Sequence, residues 1–282
     1  MTDCIFNEDC LEGMKRIPDG SVDMVLCDPP YGTTSNVWDV KLPTDKVFEQ
    51  YLRVCKENAA IVLFSQMPFG AELIMSQPKL YRYEWIWEKP MGVGFLNAYK
   101  MPLRCHENIL VFYRKLPTYN PQYWYSTPYI KKKVKAIDCH CYGNVKWNGI
   151  TENKSVDGKR YPRDVLHFNK EFYGYSWSLK KSVRLEHPTQ KPIPLLEYFI
   201  KTYTNEGETV LDNCMGSGST AVAAINTGRH FIGFETEPKY FEIANQRIEE
   251  ARRQASGKIK DSELPPLLRD DADDEIVLEG FI

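Results

Sequence analysis

The sequence predicts an α/β fold: a doubly wound, mainly parallel, seven-stranded sheet of Rossmann-like type, with a recognition region inserted between its two halves. Three observations predict it. Short apolar runs of strand length alternate with helical patterns, they fall into two series, and the stretch between the series, residues 115–186, lacks sustained periodicity.

The first series comprises Val22–Cys27, Ala60–Phe64, Tyr83–Trp87 and Asn108–Tyr113, with Thr44–Glu57 reading as an amphipathic helix between the first two runs. The second lies at the chain ends: Cys4–Asn7, Thr209–Leu211 and Phe231–Phe234, with helices at Ile193–Tyr203, Thr220–Thr227 and Pro238–Arg252. The organisation that follows is a first core half over 1–114, the inserted region over 115–186, a second core half over 187–256, and a tail over 257–282. The tail is acidic, carries Pro265-Pro266 and has little pattern, so it is expected to be flexible.

Charge is unevenly spread along the chain. Residues 261–282 hold eight acids against Arg269 alone, a net −7, which leaves +5 on residues 1–260 of a chain whose formal charge is −2. Region 115–186 has fourteen Lys and Arg against six Asp and Glu, a net +8, interleaved with Tyr123, Trp124, Tyr125, Tyr129, Trp147, Tyr173, Tyr175 and Trp177. Basic charge among aromatic rings suits a phosphate backbone with exposed bases, and Lys131-Lys132-Lys133 is the run best suited to contact phosphate. No stretch approaches the roughly 18 consecutive apolar residues of a membrane span, and Met1–Asp9 has no basic region leading into an apolar run. The expectation is a cytoplasmic protein with no membrane partner. The eight cysteines form no repeated Cys-x-x-Cys pairs, and Cys139-His140-Cys141 lacks a second pair at ligand spacing, so no metal is expected.

Two motifs carry chemistry. Asp28-Pro29-Pro30-Tyr31 directly follows an apolar run, which puts it at the carboxyl end of a strand, where open α/β sheets hold their ligands. Two consecutive prolines fix φ and remove two backbone donors, leaving carbonyls that only accept. An aromatic amino group is a poor nucleophile, because its lone pair is delocalised into the ring. Accepting its N–H bonds on the Asp28 carboxylate and the Pro29 carbonyl would let that nitrogen pyramidalise toward an electrophilic methyl group, while Tyr31 offers a π-face to an extruded base. The second motif, Asp212-Asn213-Cys214-Met215-Gly216-Ser217-Gly218-Ser219-Thr220, reads as strand end, glycine loop and helix start. The following apolar run ends at Glu235, a suitable distance downstream to bond ribose hydroxyls, so a nucleoside-containing cofactor is implied.

These motifs, together with His187-Pro188-Thr189-Gln190-Lys191-Pro192, resemble those of the amino-group DNA methyltransferases in which the catalytic motif precedes the cofactor loop. The resemblance spans nearly residues 3–252. It implies S-adenosylmethionine as methyl donor, double-stranded DNA as substrate and base flipping, with Asp28, Pro29, Pro30 and Tyr31 as the catalytic set. It assigns the cofactor to several segments: Asp9 and Cys10 near the adenine ring, Asp212, Gly216, Ser217, Gly218, Ser219 and Thr220 around the methionine moiety, Glu235 on the ribose, and His187, Thr189 and Lys191 in the segment that closes over it. Lys191 could also reach the cofactor carboxylate. Trp87-Glu88-Lys89-Pro90 and His106-Glu107-Asn108 resemble stretches near the base pocket. One departure stands out, since Asn213-Cys214 replaces the Pro-Phe that commonly follows the loop's aspartate. Asp as the first catalytic residue favours N6 of adenine over N4 of cytosine within that family. The resemblance also admits a homodimer and a restriction endonuclease as partners. Three rivals use some of the same residues: a dinucleotide-dependent oxidoreductase, which leaves Asp28–Tyr31 unexplained, a non-catalytic DNA-binding protein that keeps the cofactor fold, and a methyltransferase that acts on RNA or a protein side chain through a similar Pro-Pro-Tyr site.

Overall fold

The computed structural model of the chain describes residues 2–33, 39–132, 152–168, 174–176, 181–183 and 190–257. The main sheet is built from β1 (Cys4–Phe6), β2 (Val22–Cys27), β3 (Cys55–Ser65), β4 (Tyr81–Val93), β5 (Arg104–Phe112), β6 (Val165–His167), β7 (Thr209–Asp212) and β8 (His230–Phe234). The order across it is β1-β8-β7-β2-β3-β5-β4-β6. Only β5 runs against its neighbours, antiparallel to both β3 and β4. The seven expected strands are all present. An eighth, β6, comes from the inserted region and pairs in parallel with Ile86–Glu88 at the sheet edge. Three residues are too short a run to show a period, and β6 is held there by burial of Leu166 beside the sheet.

Among the described residues six α-helices accompany the strands: α1 (Cys10–Met14), α2 (Thr44–Val54), α3 (Phe69–Ser76), α4 (Ile193–Tyr203), α5 (Ser219–Asn226) and α6 (Pro238–Ala255). They cover both faces of the sheet, because buried strand residues alternate. In β2, Met24 and Leu26 pack with Leu195, Phe199, Ala221 and Ala244 of α4, α5 and α6. Val25 and Cys27 point the other way, among Met14, Phe48, Tyr51 and Phe69 of α1, α2 and α3. Helix α2 presents the stripe Val47, Phe48, Tyr51 and Val54 to that second core. It stops earlier than the sequence suggests. Cys55 is extended and pairs with Val22, so the ladder claims the chain immediately after the last residue of the apolar stripe. Helices α1 and α3 were not expected; at five and eight residues they are too short for a periodic signal.

Among the described residues between 115 and 186, short antiparallel ribbons occur besides β6. Trp124–Tyr125 pairs with Lys159–Arg160, Tyr129–Lys132 with Glu152–Ser155, and Gly174–Ser176 with Lys181–Val183. Lys131 and Lys132 thus lie on a strand, where a loop was expected, opposite Asn153 and Glu152. Lys133, Cys139-His140-Cys141 and the acidic tail beyond Gly257 lie outside the described residues. Among the described residues no helix is long and apolar enough to cross a membrane, and no cluster of three His, Cys, Asp or Glu could hold a metal ion.

Tyr203 at the end of α4 ties that helix to the antiparallel part of the sheet. Its hydroxyl accepts from Trp85 Nε1 at 2.7 Å and bonds the Tyr83 hydroxyl at 2.8 Å. Tyr203→Phe leaves the buried Trp85 N–H without an acceptor and is expected to lower stability by about 1–3 kcal/mol. Urea unfolding followed by circular dichroism checks it; an unchanged midpoint would mean that water replaces the hydroxyl at no cost.

Candidate active site

Strands β2 and β7 are neighbours at the centre of the sheet, with Val25 beside Leu211. From β2 the sheet continues to β3 on one side, and from β7 to β8 on the other. The order of the sheet therefore diverges here, and the two motifs emerge side by side from the same carboxyl edge. A cavity of about 830 Å³ opens there, walled by Asp28–Tyr31, by the Asp212–Ser217 turn and by Glu235. The sequence placed these residues correctly relative to the strands, and the topology brings them together.

Asp28 is held from two sides. Its Oδ1 accepts from the Tyr31 hydroxyl at 2.6 Å, and its Oδ2 pairs with the Lys191 ammonium. Burial, reinforced by the Asp28 and Glu107 charges, pushes the Tyr31 hydroxyl well up, so it remains a proton donor at neutral pH. The Tyr31 ring packs on Phe69 with centroids 5.4 Å apart. The turn beyond it is fastened by Asp39, whose buried carboxylate accepts from Gly32 N–H at 2.8 Å and Thr33 N–H at 2.9 Å. No pattern in the sequence singles out Asp39.

Lys191, expected in the segment that closes over the cofactor, borders the cavity and faces Asp28 and Glu107. It is buried, pairs with Asp28, and lies 3.4 Å from Glu107 Oε2. Glu107 in turn pairs with Lys89, also buried. Burial alone would push the Lys191 ammonium down; the Asp28 and Glu107 carboxylates outweigh it and hold the pKa above its ordinary value. Burial likewise works against ionising Glu107, and the Lys191 and Lys89 charges more than reverse it, holding the carboxyl below its usual range. The motif stretches that contain Lys89 and Glu107 meet because Trp87 pairs with Glu107 across β4 and β5. Trp87 itself is 1% exposed, with its indole N–H on the Phe168 carbonyl at 3.0 Å, so it offers little surface for a stacked base.

The glycine loop is tied internally. Asp212 accepts from Cys214 N–H at 3.0 Å and from the Thr220 hydroxyl at 2.6 Å, and burial pushes its carboxyl up to about 6. Gly218 has φ +82°, and a Cβ there would sit 3.0 Å from Ala244 Cβ, so both conformation and helix packing require glycine. Glu235 accepts from Gly216 N–H at 2.7 Å and Glu237 N–H at 2.8 Å. The carboxylate retains a lone pair for a hydroxyl donor. Arg247 of α6, which sequence reasoning passed over, donates to Ser217 O at 2.7 Å, to Ser217 Oγ at 2.9 Å and to Ser219 Oγ at 3.1 Å. Ser217 also meets Gln190 at 3.3 Å, linking the loop to the segment that carries Lys191. Asp9 caps α1 by accepting from Leu11 N–H at 2.8 Å and Glu12 N–H at 3.3 Å, and it borders the cavity with Cys10. His187 and Thr189 lie outside the described residues.

The departure at Asn213 has a local explanation. Tyr51 donates its hydroxyl to Asn213 Oδ1 in the buried interior, and Asn213 Nδ2 reaches Cys10 Sγ at 3.6 Å and Cys214 Sγ at 3.5 Å. A side-chain bond thus holds the turn where a proline would stiffen it. The three cysteines beside the cavity are poor nucleophiles. Burial pushes Cys10 up to about 12 and Cys27 well above the ordinary thiol value. For Cys214 the hydrogen bond with Cys27 works downward, but burial and the Asp212 charge carry the net shift upward.

The residues around the cavity fit an adenosine-type methyl donor on structural grounds: acceptors at Glu235, a glycine turn that admits close approach, and a cavity large enough for such a molecule beside Asp28. Comparison with known proteins agrees. The family profile described as DNA methylase, covering N6 and N4 enzymes, matches residues 22–246. The type II methyltransferase M1.MboII of Moraxella bovis is 26% identical over 260 residues, covering 86% of this chain and 94% of that protein. The DNA adenine methyltransferase YhdJ of Escherichia coli strain K12 is 27% identical over 268 residues, covering 88% and 83% respectively. The crystal structure of the M1.HpyAVI–SAM complex superposes with a TM-score of 0.57 at 23% identity, covering 86% of this chain and 98% of that one. This chain belongs to the N6/N4 family of DNA methylases, the S-adenosylmethionine-dependent enzymes that methylate amino groups of DNA bases.

Proposed function

We propose that the chain methylates N6 of adenine in duplex DNA, on a base extruded into the cavity at Asp28. The observation that carries this reading is the Asp28–Tyr31 turn at the end of β2, opening into the same cavity as the glycine loop and Glu235. Asp28 and the Pro29 carbonyl take the two N–H bonds of the amino group and turn its lone pair outward. S-adenosylmethionine supplies the methyl as a sulfonium: the carbon–nitrogen bond forms as the carbon–sulfur bond breaks, and the electron pair leaves with sulfur. The nitrogen gives up one proton, which the Asp28 carboxylate is placed to accept. Raised thiol pKa values at Cys10, Cys27 and Cys214 argue against the covalent attack that methylation of a ring carbon requires.

Adenine is favoured by Asp28 as the first catalytic residue, through the family correlation, and by the name of the Escherichia coli relative. Stacking on Trp87 does not contribute. For DNA the supporting surface is the inserted region, where Trp124, Tyr125 and Tyr161 are exposed. Arg163 lies over Trp124 at 5.5 Å, Lys159 over Tyr123 at 3.8 Å and Arg160 over Tyr129 at 4.5 Å, an array of cations on rings suited to phosphates and splayed bases. Lys131, Lys132 and Lys133 are proposed as phosphate contacts. Pairing with a second copy or with a restriction endonuclease rests on family resemblance alone, as do the roles of His187 and Thr189 at the cofactor.

Nucleoside analysis of DNA methylated in vitro tests the target atom. N6-methyladenine is expected; label in N4-methylcytosine alone would move the assignment to cytosine. Asp28→Ala is expected to lower kcat by at least about a hundredfold while cofactor affinity stays within a few-fold, because Asp28 acts on the amino group. Titration calorimetry beside a tritium-transfer assay separates the two quantities. Glu235→Ala is expected to do the reverse, weakening S-adenosylmethionine binding by about 1–3 kcal/mol. Unchanged calorimetric affinity would place the ribose elsewhere.

A further inference from the structure

The ammonium of Lys191 sits where a substrate donor is needed. Asp28 Oδ1 already accepts from Tyr31, and Oδ2, the oxygen left for an amino group, is paired with Lys191. A cation there lowers the basicity of the carboxylate and repels a nitrogen that becomes positive as it gains a methyl group, next to a donor that is itself cationic. Lys191 has somewhere else to go. Glu107 Oε2 is 3.4 Å from its Nζ, is buried, and makes no hydrogen bond among the described residues. An ionised oxygen left without a hydrogen bond in the interior is costly, and here it lies within one short movement of a three-donor ammonium.

We infer that Glu107 is a positioning residue that receives Lys191 when the target amino group arrives at Asp28, so that one donor replaces another on the catalytic carboxylate. The inference rests on the reading of Asp28 as the amino-group acceptor. The neighbouring side chains on three other elements have parts in it. Lys89, on β4, holds the other oxygen of Glu107 and keeps that carboxylate ionised and oriented on β5. Tyr31, after β2, fixes Asp28 through Oδ1, so the carboxylate does not follow the departing ammonium. Lys191 stands two residues before α4, and its ammonium lies 5.0 Å from the Phe64 ring centroid, a π-face that favours a cation during the shift. The pocket keeps its two positive and two negative side chains through this shift, until the amino group gives up its proton. Only their pairing changes, from Asp28–Lys191 to Glu107–Lys191, and the Asp28 charge is released to the reacting centre. The ground state is protected as well, because Asp28 is not left unpaired in a half-buried site when no base is present.

The test uses the full chain, tritiated S-adenosylmethionine, and a duplex carrying the recognition sequence identified by methylation-sensitive sequencing. In Glu107→Gln the receiving charge is gone, and Lys191 stays on Asp28 unless it loses its proton. The expected result is a kcat lowered on the order of tenfold or more at pH 7, with unchanged calorimetric affinity for the cofactor. The deficit should shrink as pH rises from 7 toward 9.5, since Lys191 has lost one of the two carboxylates that hold its pKa up, while the wild type shows no such recovery. Adding Lys191→Met to Glu107→Gln removes the competitor, so the double variant should turn over faster than Glu107→Gln alone. A deficit that does not vary with pH, or a double variant no faster than the single one, overturns the transfer and leaves Lys191 as a fixed counter-ion. If Glu107→Gln does not fold, as thermal melting would report, the wild type decides the matter. In a crystal structure with the duplex and a non-reactive cofactor analogue, Lys191 Nζ should be bonded to Glu107 and away from Asp28, and an ammonium still on Asp28 refutes the inference. Absence of any methyl transfer to DNA by the wild type would instead remove the reading on which the inference rests.

Discussion

Two carboxylates and two ammonium groups lie in a row at the carboxyl edge of the sheet, and most of the site depends on their mutual pairing. Lys89 and Glu107 come from β4 and β5, Asp28 from the end of β2, and Lys191 from the approach to α4. Lys89, Glu107 and Lys191 are each less than a tenth exposed. A single buried ion of this kind costs several kcal/mol, so each is tolerated only while its neighbours are in place. Removing one leaves the next uncompensated. The row therefore couples the antiparallel side of the sheet to the catalytic turn and to α4, three parts of the chain that no local sequence signal connects.

The rest of the cavity wall is fixed differently, by carboxylates whose partners are mainly backbone N–H groups. Asp39 holds the turn after Tyr31, Asp9 caps α1, Asp212 ties its own turn to Thr220, and Glu235 clasps Gly216. These bonds do not require a charge elsewhere to move. Burial pushes Glu235 up, with the three backbone N–H bonds opposing it, which is consistent with a carboxylate that serves as an acceptor for neutral donors. Rigid acceptors thus surround the expected cofactor side, and the exchangeable pairing is confined to the side where the base is expected.

What was legible in the sequence follows from how local each signal is. Asp28–Tyr31 and the Gly216–Gly218 loop could be placed because prolines, glycines and the apolar runs before them constrain a few consecutive residues. Gly218 needs its left-handed φ for reasons visible in the turn itself, although the contact with Ala244 is visible only in three dimensions. Lys89 and Glu107 were marked by resemblance but not by role, because their meeting depends on the register of β4 against β5. Asp39 and Arg247 gave no signal. Their partners lie six or seven residues back along the chain and in the glycine loop, and a lone Asp or Arg in such places reads as solvated surface. β6 was illegible for a related reason, since three residues take their strand identity wholly from the edge they join.

Asn213 shows how a departure from a family pattern can be absorbed. A proline stiffens a turn by restricting its own φ, an effect already present in the unfolded chain. Asparagine lacks that restriction, and here it relies on the hydroxyl of Tyr51, 162 residues away, for the same end. Tyr51 sits on the core-facing stripe of α2, where phenylalanine would pack equally well, so its hydroxyl is explained by the turn and not by the helix. The stiffness of the cofactor loop consequently depends on α2 docking correctly against the sheet. Cofactor-loop order and formation of the second core are linked through one buried hydrogen bond, whereas a proline in the same place would leave them independent.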